Sequence, residues 1–84
     1  MIERLDDLIP DVGSAAFVAP NATIVGSVTL GADVSVWYGV VIRGDVAPVT
    51  IGARTNIQDN SVLHVAGGHP LRIEHDVTIG HGAI

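Results

Sequence analysis

An aliphatic residue returns at every sixth position through Val18, Ile24, Leu30, Val36 and Ile42, and the beat resumes at Ile51, Ile57 and Leu63, then at Ile73 and Ile79. Four residues after each comes a small or β-branched one: Ala22, Val28, Val34, Val40 and Val46, then Thr55, Ser61 and Gly67, then Val77 and Ala83. An amphipathic helix needs apolar returns at three and four. A fixed short period instead marks a stacked solenoid, and two inward slots per six residues mark the hexapeptide β-helix. Strand formers fill the slots. Gly26, Gly31, Gly39, Gly44, Gly52 and Gly80 give room for tight corners.

The expected organisation is a lead-in over residues 1–17, crossing the first coil, followed by an all-β hexapeptide-repeat domain over 18–84 of about three coils. Two loops interrupt the beat. A three-residue insertion falls within Val46-Ala47-Pro48-Val49-Thr50, and a four-residue one within residues 66–72. Both carry Pro, and the second has paired Gly, so they read as bulges at corners.

Three hexads per coil, with coils about 4.8 Å apart, make the vertical neighbours countable. Ile24, Ile42 and Leu63 share a first face, with Val25, Arg43 and His64 as an outward column beside them. Val18, Val36, Ile57 and Ile79 share a second face, which sets Asp59 one coil beneath His81 and Gln58 one coil above Trp37. His75 falls on the third face and is expected in solvent. Columns on adjacent faces cannot converge within one chain, but between two chains they can.

The formal charge is -5 with no Lys, and the four Arg are scattered, so no basic stripe awaits a phosphate backbone and nucleic acid is not an expected partner. With no Cys, any metal must be held by His and carboxylate. No apolar run approaches a membrane span, and the first seven residues lack the basic and apolar regions of a signal peptide. The expected compartment is the cytoplasm. At 84 residues a single core is marginal, a size at which association with further copies often adds burial.

His64 and His81 are the candidate metal ligands. Each stands over a polar neighbour, Arg43 or Asp59, and neutral imidazole is the commonest metal ligand, its ring commonly held by such a partner. The plainer reading is that each is a solvated surface His. Arg43 and Asp45 flank a corner Gly, and a planar Arg there suits a bidentate contact with a carboxylate of a neighbouring chain. Gln58 and Asp59 read either as corner residues or as partners of a metal-bound water. His69 reads as a loop residue. Trp37 and Tyr38 point outward together, as an apolar interface would want them.

The run Ala19-Pro20-Asn21-Ala22, Val36-Trp37-Tyr38-Gly39, Arg43-Gly44-Asp45, Asn56-Ile57-Gln58-Asp59-Asn60, His64, Gly68-His69-Pro70 and Ile79-Gly80-His81 closely resembles the γ-class carbonic anhydrase family over nearly the whole chain. A bare hexapeptide repeat also suits acyltransferases, and the Arg-Gly-Asp and Gln-Asp-Asn segments decide between them. The resemblance implies a left-handed parallel β-helix, a homotrimer and metal sites between subunits. It matches Arg43 and Asp45 to the pair that bridges subunits, Gln58 to the residue beside the metal-bound hydroxide and Asp59 to its support. It matches His64 and His81 to two metal ligands, the second supplied by the neighbouring subunit.

The family's third ligand lies five residues beyond the position of His81, past Ile84. The expected cofactor is therefore zinc, with iron or cobalt as alternatives, held weakly or not at all. The family reaction is the reversible hydration of CO₂ to bicarbonate, expected here to be impaired. A non-catalytic trimeric assembly module is the alternative, and a hexapeptide acyltransferase a distant third. The expected partner is the chain itself, as a homotrimer, with end-to-end stacking of two trimers as a way to cover the last coil.

Overall fold

The computed structural model describes residues 1–65 and 67–84. Nine strands are assigned among them: β1 (Ile2–Glu3), β2 (Phe17–Val18), β3 (Thr23–Leu30), β4 (Ser35–Val36), β5 (Val41–Ile51), β6 (Asn56–Ile57), β7 (Val62–His64), β8 (Leu71–Ile73) and β9 (Thr78–Ile79). Every pairing between them is parallel. Each strand bonds to the one a coil away rather than to its neighbour in sequence, as β3 does to β5 and β4 to β6. The fold is thus an all-β parallel β-helix of about four turns. No helix of the described residues is long and apolar enough to cross a membrane.

The ladder reproduces the counted columns. Ile24 pairs with Ile42 and Ile42 with Leu63 on the first face. Val18, Val36, Ile57 and Ile79 line up on the second, and Leu30, Ile51 and Ile73 on the third. Ile24, Ile42, Ile51 and Ile57 are fully buried, each contributing roughly 1.5–3 kcal/mol of hydrophobic stabilisation. The second inward set supplies Ala22, Val28, Val34 and Val40, together with two polar residues, Thr55 and Ser61. Their hydroxyls are satisfied across the coil, Thr55 Oγ1 donating to Glu74 O and Ser61 Oγ to Gly80 O, both at 2.8 Å. Burying them is therefore tolerable, since a buried hydroxyl is costly only when unpaired.

Two of the expected inward residues are outside. Val46 is 59% exposed, because the ladder passes from Gly26–Gly44 to Val28–Val49 and leaves residues 45–48 opposite Ser27 alone. The slot goes to Val49, which is fully buried. At the second insertion the same shift exposes Gly67 and pairs Leu71 with Val49. The period and its phase after each loop are as counted, since Ile51 pairs with Leu30 and Ile73 with Ile51, and only the slots beside the two insertions are displaced.

The segment expected as a lead-in joins the ladder itself. Ile2 pairs with Ile24 and Glu3 with Val25, the Met1 amino group bonds to the Ala22 carbonyl, and Asp11 exchanges bonds with Val28 and Leu30. Between them a short reversal closes on paired 2.9 Å bonds from Leu5 to Leu8 and back. Residues 1–17 build an irregular first coil.

The corners are made less by glycine than expected. One corner stacks Gly39, Asn60 and Gly82 at φ of 71°, 61° and 65°, each the third residue of a turn closed by bonds such as Val40 N–H to Trp37 O. A type II turn demands that left-handed position, which Gly and Asn accept most readily. Another corner stacks Asp33, Arg54 and Asp76 at φ of 59°, 58° and 58°. Gly44 serves a different need: a Cβ there would run into the Ser27 carbonyl of the coil below.

Candidate functional site

Strand register fixes the outward columns as firmly as the inward ones, because successive residues of a strand point to opposite faces. On the first face the ladder pairs Val25 with Arg43 and Arg43 with His64. Val25, Val41 and Val62 are only half-buried there, three apolar side chains turned outward, while Arg43 and His64 are exposed. His64 makes no side-chain hydrogen bond among the described residues.

At the corner between the second and first faces the column runs Pro20, Tyr38, Asp59, His81, tied by Asn60 N–H to Tyr38 O and Gly82 N–H to Asp59 O, both 2.9 Å. His81 stands above Asp59 as counted, with Nδ1 at 3.9 Å from Oδ1 and 74% of the His side chain exposed. At that distance the two side chains are neighbours without a hydrogen bond. Gln58 lies one rung along, above Trp37. Beside it Asn56 Oδ1 is buried with no hydrogen-bond partner.

Arg43 and Asp45 meet each other within the chain. Arg43 Nη2 donates to Asp45 Oδ2 at 2.9 Å, and the Asp45 Oδ1 accepts from Val46 N–H. The Arg43 bond, and after it the Val46 amide, hold the Asp45 carboxyl below its ordinary value despite some opposing desolvation. Asp45, though not Arg43, lines a pocket of about 240 Å³ with Leu8, Ser27, Gly44, Val46, Ala47 and Pro48.

His64 and His81 thus occupy adjacent faces and do not come together in one chain. Among the described residues no group of three or more His, Asp or Glu could hold a metal ion. His75 is on the third face and exposed, and His69 is exposed in the second loop.

Two clusters lay outside the sequence reading. Arg54 Nε and Nη2 grip Asp76 at 2.8 and 3.1 Å, and His75 Nδ1 meets the same carboxylate at 2.7 Å. Counting one coil across the four-residue insertion would have stacked residue 54 under 76. Phe17 joins Trp37 and Tyr38, with ring centroids 4.9 and 6.1 Å away, so the chain's three aromatics gather in one place. Its position one coil under Ser35, beside Trp37, was the available signal.

Comparison with known proteins agrees with this architecture. The family model described as bacterial transferase hexapeptide (six repeats) matches residues 10–44. A protein named carbonic anhydrase from Geobacillus kaustophilus is 52% identical over 75 residues, 89% of this chain and 41% of its own length. The uncharacterized transferase YtoA of Bacillus subtilis is 57% identical over 72 residues, 86% of this chain and 42% of its own. Gamma carbonic anhydrase 1, mitochondrial, of Arabidopsis thaliana is 50% identical over 84 residues, 93% of this chain and 30% of its own.

A crystal structure of a hexapeptide transferase family protein from Anaplasma phagocytophilum superposes with a TM-score of 0.86 at 40% identity, over 96% of this chain and 47% of that one. The chain spans less than half the length of each of these relatives. By its repeat, its ladder and these likenesses, the chain is a hexapeptide-repeat β-helix protein related to the γ-class carbonic anhydrases.

Proposed function

We propose that this chain carries half-sites for a metal between subunits of a γ-class carbonic anhydrase-like protein, and that the reaction served is hydration of CO₂ to bicarbonate. The observation that carries the reading is the placement of two exposed imidazoles, His64 and His81, on adjacent outward columns with a polar partner beneath each. Such columns meet only when the first face of one subunit lies against the corner of the next. Val25, Val41 and Val62 favour that contact, since half-buried valines beside a polar column suit the apolar core of an interface. A trimer closes such a heterologous contact into a ring. In it Arg43 and Asp45 exchange their bond within the chain for bonds across the boundary.

The donor set fits the metal in kind, imidazole being suited to zinc, iron and cobalt alike. His64 of one subunit and His81 of its neighbour would hold it. When bound, such a metal would acidify a water enough for it to lose a proton near neutral pH, making hydroxide available to hydrate CO₂. Asp59, 3.9 Å from the Nδ1 edge of His81, would hold that ring by Nδ1 and so free Nε2 for ligation. Gln58, carrying both a donor and an acceptor, orients the reacting water or an oxygen of CO₂.

The outward valines Val25, Val41 and Val62 would serve equally well a second reading, a trimeric assembly module without catalysis. The transferase names among the relatives leave acyl transfer as a third. Metal analysis of protein purified without chelator, together with a CO₂ hydration assay, separates the three. Metal present in the chain and lost equally in His64→Ala and His81→Ala, but kept in His75→Ala, supports the half-site reading. With Asp59→Asn, affinity falls by about 10–100-fold. Metal retained in both His64→Ala and His81→Ala would overturn it.

A further inference from the structure

We propose that Phe17 and Trp37, with Tyr38 beside them, form a positioning platform that sets the carboxamide of Gln58. The inference rests on the functional reading of Gln58 above, and it names residues to which that reading gives no part. Phe17, Trp37 and Tyr38 are the only aromatic residues of the chain. None of them serves the inward column of aliphatic slots, where a large ring would add most burial. Instead they cluster on the outside, with Phe17–Trp37, Phe17–Tyr38 and Trp37–Tyr38 centroids at 4.9, 6.1 and 6.4 Å. The Phe17–Trp37 and Trp37–Tyr38 planes are tilted and the Phe17–Tyr38 pair is edge-on, the mutual arrangements that aromatic quadrupoles favour.

The cluster lies under the proposed site and nowhere else. Val36 pairs with Ile57, which sets Trp37 one coil beneath Gln58, and the next rung sets Tyr38 one coil beneath Asp59. Coils are separated by about 4.8 Å, so the indole is the nearest large surface below the Gln58 side chain. Gln58 makes no side-chain hydrogen bond among the described residues, yet it is half-buried. A flexible side chain with no polar tether keeps one orientation only through packing. Phe17 and Trp37, each half-buried on the outer surface, supply that packing.

The bland alternative is that the rings are an interface patch. The two differ in what removing the indole does to Gln58. The test is nuclear magnetic resonance of the uniformly ¹⁵N-labelled chain, following the Gln58 side-chain amide in the wild type, Trp37→Leu, Trp37→Phe and Phe17→Leu, with the oligomer mass of each by light scattering. The platform predicts loss of the ring-current displacement and of the ordered side-chain amide signal in Trp37→Leu. It predicts recovery of the ordered signal in Trp37→Phe and a partial loss in Phe17→Leu, all at unchanged mass.

An unchanged Gln58 amide in Trp37→Leu would overturn the platform, and so would a change that appears only together with a change of mass. Should Trp37→Leu fail to fold, Phe17→Leu decides alone: it leaves the indole in place, and an undisturbed Gln58 amide then overturns the proposal. None of these readouts needs a metal or turnover. An inactive wild type with an ordered Gln58 counts against the CO₂ reading and not against the platform. An active wild type whose Gln58 ignores Trp37 does the reverse.

Discussion

On the first face of the prism Val25, Val41 and Val62 turn outward beside Arg43 and His64, whereas the third face turns out Thr29, Thr50 and Arg72. Inside, the two faces are alike, with Ile24, Ile42 and Leu63 behind the first and Leu30, Ile51 and Ile73 behind the third. The corner after the third face satisfies its own charges, Asp76 being held by Arg54 and His75 within the chain. The first face leaves an imidazole without a partner among the described residues and apolar stems in partial exposure. A hexapeptide prism thus repeats its interior and varies its exterior. Function has to be read from whichever outward columns fail to close on themselves.

The largest effect belongs to the shared interior. Ile42→Ala and Ile51→Ala each remove a fully buried side chain flanked above and below by aliphatic neighbours. Each should cost about 2–5 kcal/mol, the range for truncating a buried large aliphatic. Denaturant unfolding of both variants checks this. A loss below about 1 kcal/mol at Ile51 alone would show that the third face carries less of the core than the ladder implies, and the equivalence would fail.

The exteriors should then separate. Val41→Lys puts a charge into the outward valine column of the first face and is expected to dissociate the assembly. Thr50→Lys adds the same charge to the third face and should leave the mass unchanged, with stability within about 0.5 kcal/mol of wild type. Light scattering at matched concentration reads both. Dissociation by both variants, or by neither, would remove the first face from the proposed interface.

The columns were legible because a six-residue period leaves no freedom once the number of hexads per coil is set. That is how Asp59 under His81 and Arg43 under His64 could be placed without coordinates. The slot beside the first loop was harder to read, since Val46 and Val49 are both apolar and either could fill it. Strand pairing chooses Val49, which stands opposite Val28. Ile2 was missed for a related reason. It pairs with Ile24 across the Leu5–Leu8 reversal, which breaks the period. Arg54 and Asp76 carry no apolar signal at all, and only counting through the second loop would stack them.

The smallest effect tests the self-satisfied corner. Two bonds from Arg54, and after them the contact with His75, bring the Asp76 carboxyl down to about 2. Arg54 is raised in turn, chiefly by its bond to Asp76. A carboxyl depressed in the folded state stabilises it above the unfolded value of roughly 3.9. That stabilisation fades as pH falls through about 2, because the folded form then takes up the proton too. Asp76→Asn is a clean probe, since Asn tolerates the left-handed φ of 58° as Asp does. The variant should melt slightly below wild type at pH 7 and at pH 5, by similar amounts, because exposed pairs contribute little. The gap should close between about pH 4 and pH 2. A gap that persists at pH 2 would mean that the charge of Asp76 is not what the corner uses, and the contrast between the two exteriors would then rest on the valines alone.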